Sequence, residues 1–403
     1  MTTSTRRALI DAIVARTETN AKLRRDIHAH PELRYEEFRT SDLIAAELEQ
    51  CGIAVHRGLA RTGVVGSLRQ GSGKKAIGLR ADMDALRVTE LNTFGHASTH
   101  PGKMHACGHD GHVAMLLAAA RHLAQNRLFD GTVHFIFQPA EEGGAGARAM
   151  IEDGLFDKFP VDAVFGMHNW PGMAEGQFAV SPGGVMASST EFTVIIHGKG
   201  GHAALPHTAV DPIPVACEVV QAFQNILSRN KKPDEAAVLT VTVLRAGESN
   251  NVIADNCELR GTIRTFSLPT LDLIEQRMTQ IASHVCSAHD ARSEVRFNRS
   301  YPPTINSVAE AGFAHGVMTD IVGANNVLVQ EPAMTAEDFA FMLQVRPGAY
   351  AFIGNGDGAH RSMPHGPGPC SLHNPSYDFN DALIPLGATY WVRLVERFLA
   401  PGP

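Results

Sequence analysis

The sequence predicts an α/β fold: a mostly parallel sheet with helices on both faces, carrying an inserted ferredoxin-like domain. Three observations support this. Strand-like and helix-like segments alternate up to residue 168, the pattern of a parallel sheet covered on both sides. Near SPGGVMASSTEF (residues 181–192) the order changes to β-α-β-β-α-β, the split unit of ferredoxin-like domains. After NRSYPPTINS (residues 298–307) the α/β character returns. The chain has 403 residues, more than the roughly 250–300 at which one hydrophobic core stops growing. The expected organisation is a discontinuous catalytic domain, residues 1–186 and 299–403, with a lid or dimerisation domain over 187–298.

In chain order, MTTSTRRALIDAIVARTETN has no continuous apolar run of the kind a signal peptide needs, and reads as the first turns of a helix. Residues 21–50 read as helical. KKAIGLRADMDAL holds a short apolar strand near 76–80. VAMLLAAARHLAQN reads as an amphipathic helix ending near Asn126. Strand TVHFIFQ (132–138), a helix around AGARAMIEDGLF (145–156) and strand DAVFGMH (162–168) follow. The insertion offers strand 191–197, helix 211–230, strands 237–245 and 256–265, helix 268–288 and strand 293–298. A strand at GAYAFIGNG and a helix at LIPLGATYWVRLVERFLA close the chain.

Composition narrows the function. Hydrophobic residues make up 44% and charged residues 19%, a globular mix, and the formal net charge is −7. A mildly acidic chain gives no electrostatic case for nucleic acid or an anionic membrane. No apolar run approaches the ~20 residues that span a bilayer. Six cysteines, at 51, 107, 217, 257, 286 and 370, are scattered without a CxxC pair. They read as reduced thiols of a cytoplasmic protein.

The chemistry gathers at strand ends. Predicted strands run into Asp82 and Asp84, into Glu141 and Glu142, into His168 and Asn169, and into Asp357 and His360. Ligands of open α/β sheets bind beyond the carboxyl ends of the strands. KMHACGHDGH, residues 103–112, adds Cys107 and His109, two apart and on one side of an extended loop. Asp110 then stands where a helix N-cap belongs, and the helix dipole favours thiolate at Cys107. Thiolate with imidazole suits zinc or another borderline divalent ion. A Cys–His nucleophilic pair is the competing reading. Glu141-Glu142, read as extended backbone, point opposite ways, so one can bind metal while the other works as a base. Which does which stays open on spacing alone.

Taken together, HACGHDGH, FQPAEEGG, GMHNWPG, GKGGHAALPH, NNVIADNCELRGTIRT and LHNPSYDFND resemble, in order, the motifs of the metal-dependent aminoacylase/carboxypeptidase superfamily of amidohydrolases. The resemblance is closest to its hippurate hydrolase and indole-acetyl-amino-acid hydrolase branch. It implies two divalent ions per subunit, zinc or manganese, with cobalt or nickel as alternatives. It implies Cys107, His109, Glu142, His168 and His373 as metal ligands and Glu141 as general base. It implies Asp84 as the carboxylate orienting a ligand imidazole. His202 would reach a partner subunit's site and stabilise an oxyanion, and Asn251 and Arg264 would hold the substrate carboxylate. The implied substrate is a small N-acyl amino acid, split into a carboxylic acid and an amino acid by a homodimer or homotetramer. A dipeptidase or carboxypeptidase on the same site is the alternative. His105, His112, His197, His207 and His365 are left to loop or supporting roles. Arg87 stands where the family usually has proline, and His96 and His100 are extra, departures that bear on substrate choice.

Overall fold

The computed structural model describes residues 8–401. Part of the N-terminal helical expectation therefore lies outside the described residues; within them, Asp11–Val14 is one helical turn. The chain divides into two compact units. One runs to Gly183 and resumes over Ile305–Glu331 and from Phe341 onward. The other comprises Gly184–Thr304 and Pro332–Ala340.

The first unit is built on an eight-stranded sheet. Its strands are β1 (Ala54–Leu59), β2 (Gly63–Gln70), β3 (Ala76–Asp82), β4 (Gly131–Gln138), β5 (Ala163–Pro171), β6 (Phe178–Ala179), β7 (Val327–Leu328) and β8 (Gly348–Gly356). The spatial order is β1-β2-β4-β3-β5-β8-β6-β7. The central four, β4-β3-β5-β8, are parallel. Antiparallel β2 lies on one side of them and antiparallel β6 on the other. Every residue of β3 is buried, as expected of a strand covered on both faces.

The helix His109–Gln125 packs against this sheet. The sequence reads it as amphipathic, but residues 109–120 are buried without interruption. Helices Thr17–Ala29, Phe38–Gln50 and Ile384–Phe398 cover its outer side, so no face reaches solvent along that stretch. The helical reading of 21–50 also needs correction. It is two helices, Thr17–Ala29 and Phe38–Gln50, separated by a loop holding Pro31. Proline disfavours helical backbone at the residue before it, and here His30 has left the helix.

The second unit has a four-stranded antiparallel sheet. In space the strands run Ala237–Arg245, Asn256–Thr265, Ser189–His197, Arg292–Tyr301. Helices Pro212–Asn225 and Leu268–Ala288 cover one face. Phe192, Val194, Phe223, Leu259, Ile274 and Met278 pack between the layers. Asp211 caps the first helix at Ile213 and Ser267 the second at Thr270, each accepting an orphan N–H.

Candidate metal centre

Parallel strands β3, β4 and β5 place their carboxyl ends side by side, with Asp82 opposite Gln138. From these ends and two loops the site is assembled. Gly108 precedes the helix His109–Gln125 at φ +92°. A Cβ there would lie 2.4 Å from both Asn169 Oδ1 and Tyr377 Oη, so glycine is required twice over.

Cys107 Sγ lies 3.3 Å from His168 Nε2. His168 donates its Nδ1 proton to the carbonyl of Asn169 at 2.6 Å, which leaves the Nε2 lone pair facing the thiol. His109 Nδ1 lies 2.9 Å from the carbonyl of Asp84 and 3.3 Å from its Oδ1. Its Nε2 is buried with no hydrogen-bond partner. His373 Nε2 is 3.1 Å from Glu142 Oε1, itself buried and without a hydrogen bond. The ligating atoms of Cys107, His109 and His168 lie within 4.8 Å of one another, as do those of Cys107, Glu142 and His373, and those of His109, Glu141 and Glu142. Sulfur, imidazole and carboxylate donors with orphaned, inward-facing atoms fit divalent cations.

Charge agrees with the geometry. Burial works against a charged His109, but Asp82 and Asp84 outweigh it and hold the imidazole up to about 10. The cluster attracts positive charge. Burial raises the Cys107 thiol well above its usual range, and the carboxylates of Glu142, Glu141 and Asp82 raise it further. This corrects the expectation that the helix dipole makes a thiolate there. It also weakens the nucleophilic-cysteine reading: among these carboxylates a neighbouring imidazole does not suffice to make a thiolate, whereas a bound divalent ion would. Burial likewise drives His168 well below its usual value, keeping it neutral.

Two further readings are corrected. Asp110 is not an N-cap: it lies inside the first turn, fully buried. Its Oδ2 takes His28 Nδ1 at 2.8 Å and faces Arg24 at 3.4 Å. The backbone at Glu141-Glu142 is not extended. Ala140 has φ +55°, Glu142 has ψ 76° and Gly143 has φ +75°, so a kinked turn separates the two carboxylates.

That turn is held by a loop the sequence reading passed over. Glu37 Oε1 accepts the Ala140 N–H at 2.9 Å, Arg34 donates to the Glu142 carbonyl at 3.1 Å, and Tyr35 donates to the Gly144 carbonyl at 2.7 Å. Asp84 Oδ2 accepts the Glu142 N–H at 2.9 Å, tying the turn to the His109 partner. Burial, then the charge of Asp84, pushes the Glu37 carboxyl up to about 7.

The sequence marks Asp82 only as a strand end. It lies 2.6 Å from His112 Nδ1 and 3.7 Å from His109 Nε2, while Arg80 donates to it at 2.7 Å. His112 Nε2 is 2.8 Å from Asn169 Oδ1, so His112 supports the site from behind. Alternation could have found Asp82, two residues before Asp84, since both carboxylates reach His109. Asp357 and His360 do not join the cluster: Asp357 caps its own turn at Ala359, and His360 Nε2 lies 3.1 Å from the Asp378 carbonyl. His96 stacks on Phe94 at 3.9 Å and reaches Asp378 at 3.3 Å.

In the second unit, His202 lies on the short strand Gly201–His202, paired with Val252–Ile253. Its Nδ1 accepts the Ala204 N–H at 3.1 Å, which puts the ring proton on Nε2 as a free donor. The Asn251 carbonyl accepts the Ala203 N–H at 3.0 Å, so Asn251 stands beside His202. Arg264, on the strand Asn256–Thr265, spends Nη1 on Thr262 at 2.6 Å and on the Ile263 carbonyl at 3.1 Å. Its remaining guanidinium donors stay available. Burial lowers its pKa.

Known proteins place this arrangement. Hippurate hydrolase of Campylobacter jejuni is 39% identical over 379 residues, covering 94% of this chain and 96% of its own. IAA-amino acid hydrolase ILR1-like 4 of Arabidopsis thaliana is 39% identical over 382 residues, 94% of this chain and 85% of its own. A crystal structure of a dinuclear metal-binding peptidase of the M20 family from Bacillus subtilis superposes with a TM-score of 0.83 at 31% identity, covering 96% of this chain and 99% of the other. Residues 78–397 match the family model, and the chain belongs to peptidase family M20/M25/M40.

Proposed function

We propose that this protein is a metal-dependent amidohydrolase that splits N-acyl amino acids of the hippurate type into a carboxylic acid and a free amino acid. One observation carries the reading. Donor atoms of Cys107, His109, His168, Glu142 and His373 converge, with Glu141 beside them, in a chain 39% identical to a hippurate hydrolase.

Cys107, His109 and His168 would provide one set of ligands and Cys107, Glu142 and His373 another. Zinc or manganese suits this donor set, with cobalt or nickel as alternatives. Bound there, the ions supply Lewis acidity for the amide carbonyl and for water. Glu141 takes a proton from the attacking water and delivers it to the leaving amine. His202 would offer its Nε2 proton to the oxyanion developing in a partner subunit's site. Asn251 and Arg264 hold the substrate's carboxylate, Arg264 through its unspent guanidinium donors. Asp84 fixes the ring of His109 and the main chain of Glu142 together. A homodimer or homotetramer, in the cytoplasm, completes the reading. Among the described residues no helix is long and apolar enough to cross a membrane.

Metal analysis of freshly purified protein, with activity on benzoyl-glycine before and after chelation, tests this. The expected result is about two ions per chain, loss of activity on chelation, and recovery with added zinc or manganese. Activity that survives chelation but is abolished by Cys107→Ser would overturn it in favour of a cysteine hydrolase. The similar structure described as a peptidase supports a second reading, a dipeptidase or carboxypeptidase. Preference for a dipeptide over benzoyl-glycine in competition would establish that one instead.

A further inference from the structure

A pocket of about 370 Å³ opens beside Glu142 and is lined by Leu33, Arg34, Glu36, Ala85 and Arg87. Its floor is apolar and fixed. Leu33 and Ala85 are buried and bridge to each other, Ala85 donates to the Glu32 carbonyl at 2.8 Å, and Leu86 pairs with Met104. Its rim is cationic. Arg87 is exposed and makes no hydrogen bond or ion pair among the described residues. Arg34 spends one Nη1 donor on the Glu142 carbonyl and keeps the rest of its fork. Of the lining carboxylates, Glu36 is matched by Lys103 at 3.4 Å, and Glu142 turns its Oε1 towards His373 Nε2, 3.1 Å away, among the candidate metal ligands. An apolar floor ending in two guanidinium groups suits a short chain with a carboxylate at its far end.

The geometry points to an acyl subsite for dicarboxylic acyl groups, with Arg87, assisted by Arg34, pairing with the distal carboxylate. The inference rests on the amidohydrolase reading and names its acyl class. Water splits the amide: the acyl carbon takes the hydroxyl as its bond to nitrogen breaks, the nitrogen takes the proton, and a dicarboxylate and an amino acid leave. A volume of about 370 Å³ is near the lower end for ligand pockets, which favours a short diacid such as a succinyl group.

The test compares N-succinyl-phenylalanine with N-succinamoyl-phenylalanine, its isostere with a neutral amide in place of the distal carboxylate, using metal-loaded enzyme, with benzoyl-glycine alongside. The succinyl compound is expected to have a kcat/KM about ten-fold higher or more, from a charge-assisted pair absent in the amide. The preference should shrink in high salt. Arg87→Gln should bring the succinyl-to-succinamoyl ratio near one, and Arg87→Glu should invert it. Equal wild-type rates for the two, or hydrolysis of benzoyl-glycine with neither of them, overturn the acyl subsite and leave the amidohydrolase reading standing. A preference that survives both substitutions overturns the role of Arg87. Failure to hydrolyse any of the three overturns the amidohydrolase reading itself. The wild-type comparison decides the matter even if an Arg87 variant does not fold.

Discussion

His373 Nε2 stands 3.1 Å from Glu142 Oε1, and the two are not aligned as a hydrogen bond. His373 sits at φ +62°, a backbone conformation that costs a side-chain-bearing residue. Such a contact makes sense when both groups aim at a third partner. Removing metal should therefore lower stability as well as activity. Chelation is expected to lower Tm by several degrees, and added zinc or manganese to restore it, because an ion at a hundred times its Kd contributes about 2.7 kcal/mol. Scanning calorimetry checks this; an unchanged Tm would count against a site formed by these residues.

Asp84 reads as the hinge of the centre. One oxygen lies by His109 Nδ1 and the other takes the Glu142 N–H. Asp84→Asn should weaken metal affinity roughly 10–100-fold, the usual cost of losing an orienting partner. Competition against a chromophoric chelator measures it.

Glu141 is buried beside the ligand groups and is assigned the proton transfers. Glu141→Gln is expected to lower kcat by about 10²–10⁴-fold, the span of general acid–base contributions. Metal content should stay near wild type, which elemental analysis of the variant establishes. Loss of metal instead would make Glu141 a ligand.

The loop Arg34–Glu37 holds the turn that carries both glutamates. Tyr35→Phe removes the hydrogen bond to Gly144, and Glu37→Ala removes the acceptor for Ala140. Both should reduce kcat more than they change KM, Glu37→Ala by about ten-fold or more, since a small misplacement of a catalytic group is costly. Glu37→Gln retains an acceptor and should recover most of the loss. Steady-state kinetics of the three variants decide between positioning and general destabilisation.

His28 gives a pH signature. Burial acts against its charge, but Asp110 and then Glu90 hold the buried ring up to about 10. A folded value above the unfolded one, about 6.5, means stabilisation that is complete below pH 6.5 and fades as pH rises towards 10. His28→Gln should thus destabilise most at pH 6 and progressively less by pH 10, as read from urea midpoints. A constant difference would mean that His28 is neutral in the fold.

Much of this was legible along the chain. Strands 237–245 and 256–265 and helix 268–288 have the bounds that periodicity gives them. The motif residues Cys107, His109, Glu142, His168 and His373 do converge. What spacing misjudged was environment. Asp110 looks like a cap because it precedes an apolar run, yet Arg24 and His28, far away in sequence, draw its carboxylate inward. Cys107 looks like a thiolate beside a helix start, yet burial and three carboxylates dominate.

The sequence by itself determined the layers, the family and the candidate ligand residues, because periodicity, turn residues and motif order are local properties of a chain. Only the tertiary structure decided which atoms are left without partners, which turn separates Glu141 from Glu142, and what lies beside the site. It brought Arg34, Tyr35 and Glu37 against residues 140–144, and Arg87 to the rim of a pocket next to Glu142. Those relations depend on distances through space, and on the burial that makes a single missing hydrogen bond or an unpaired charge matter.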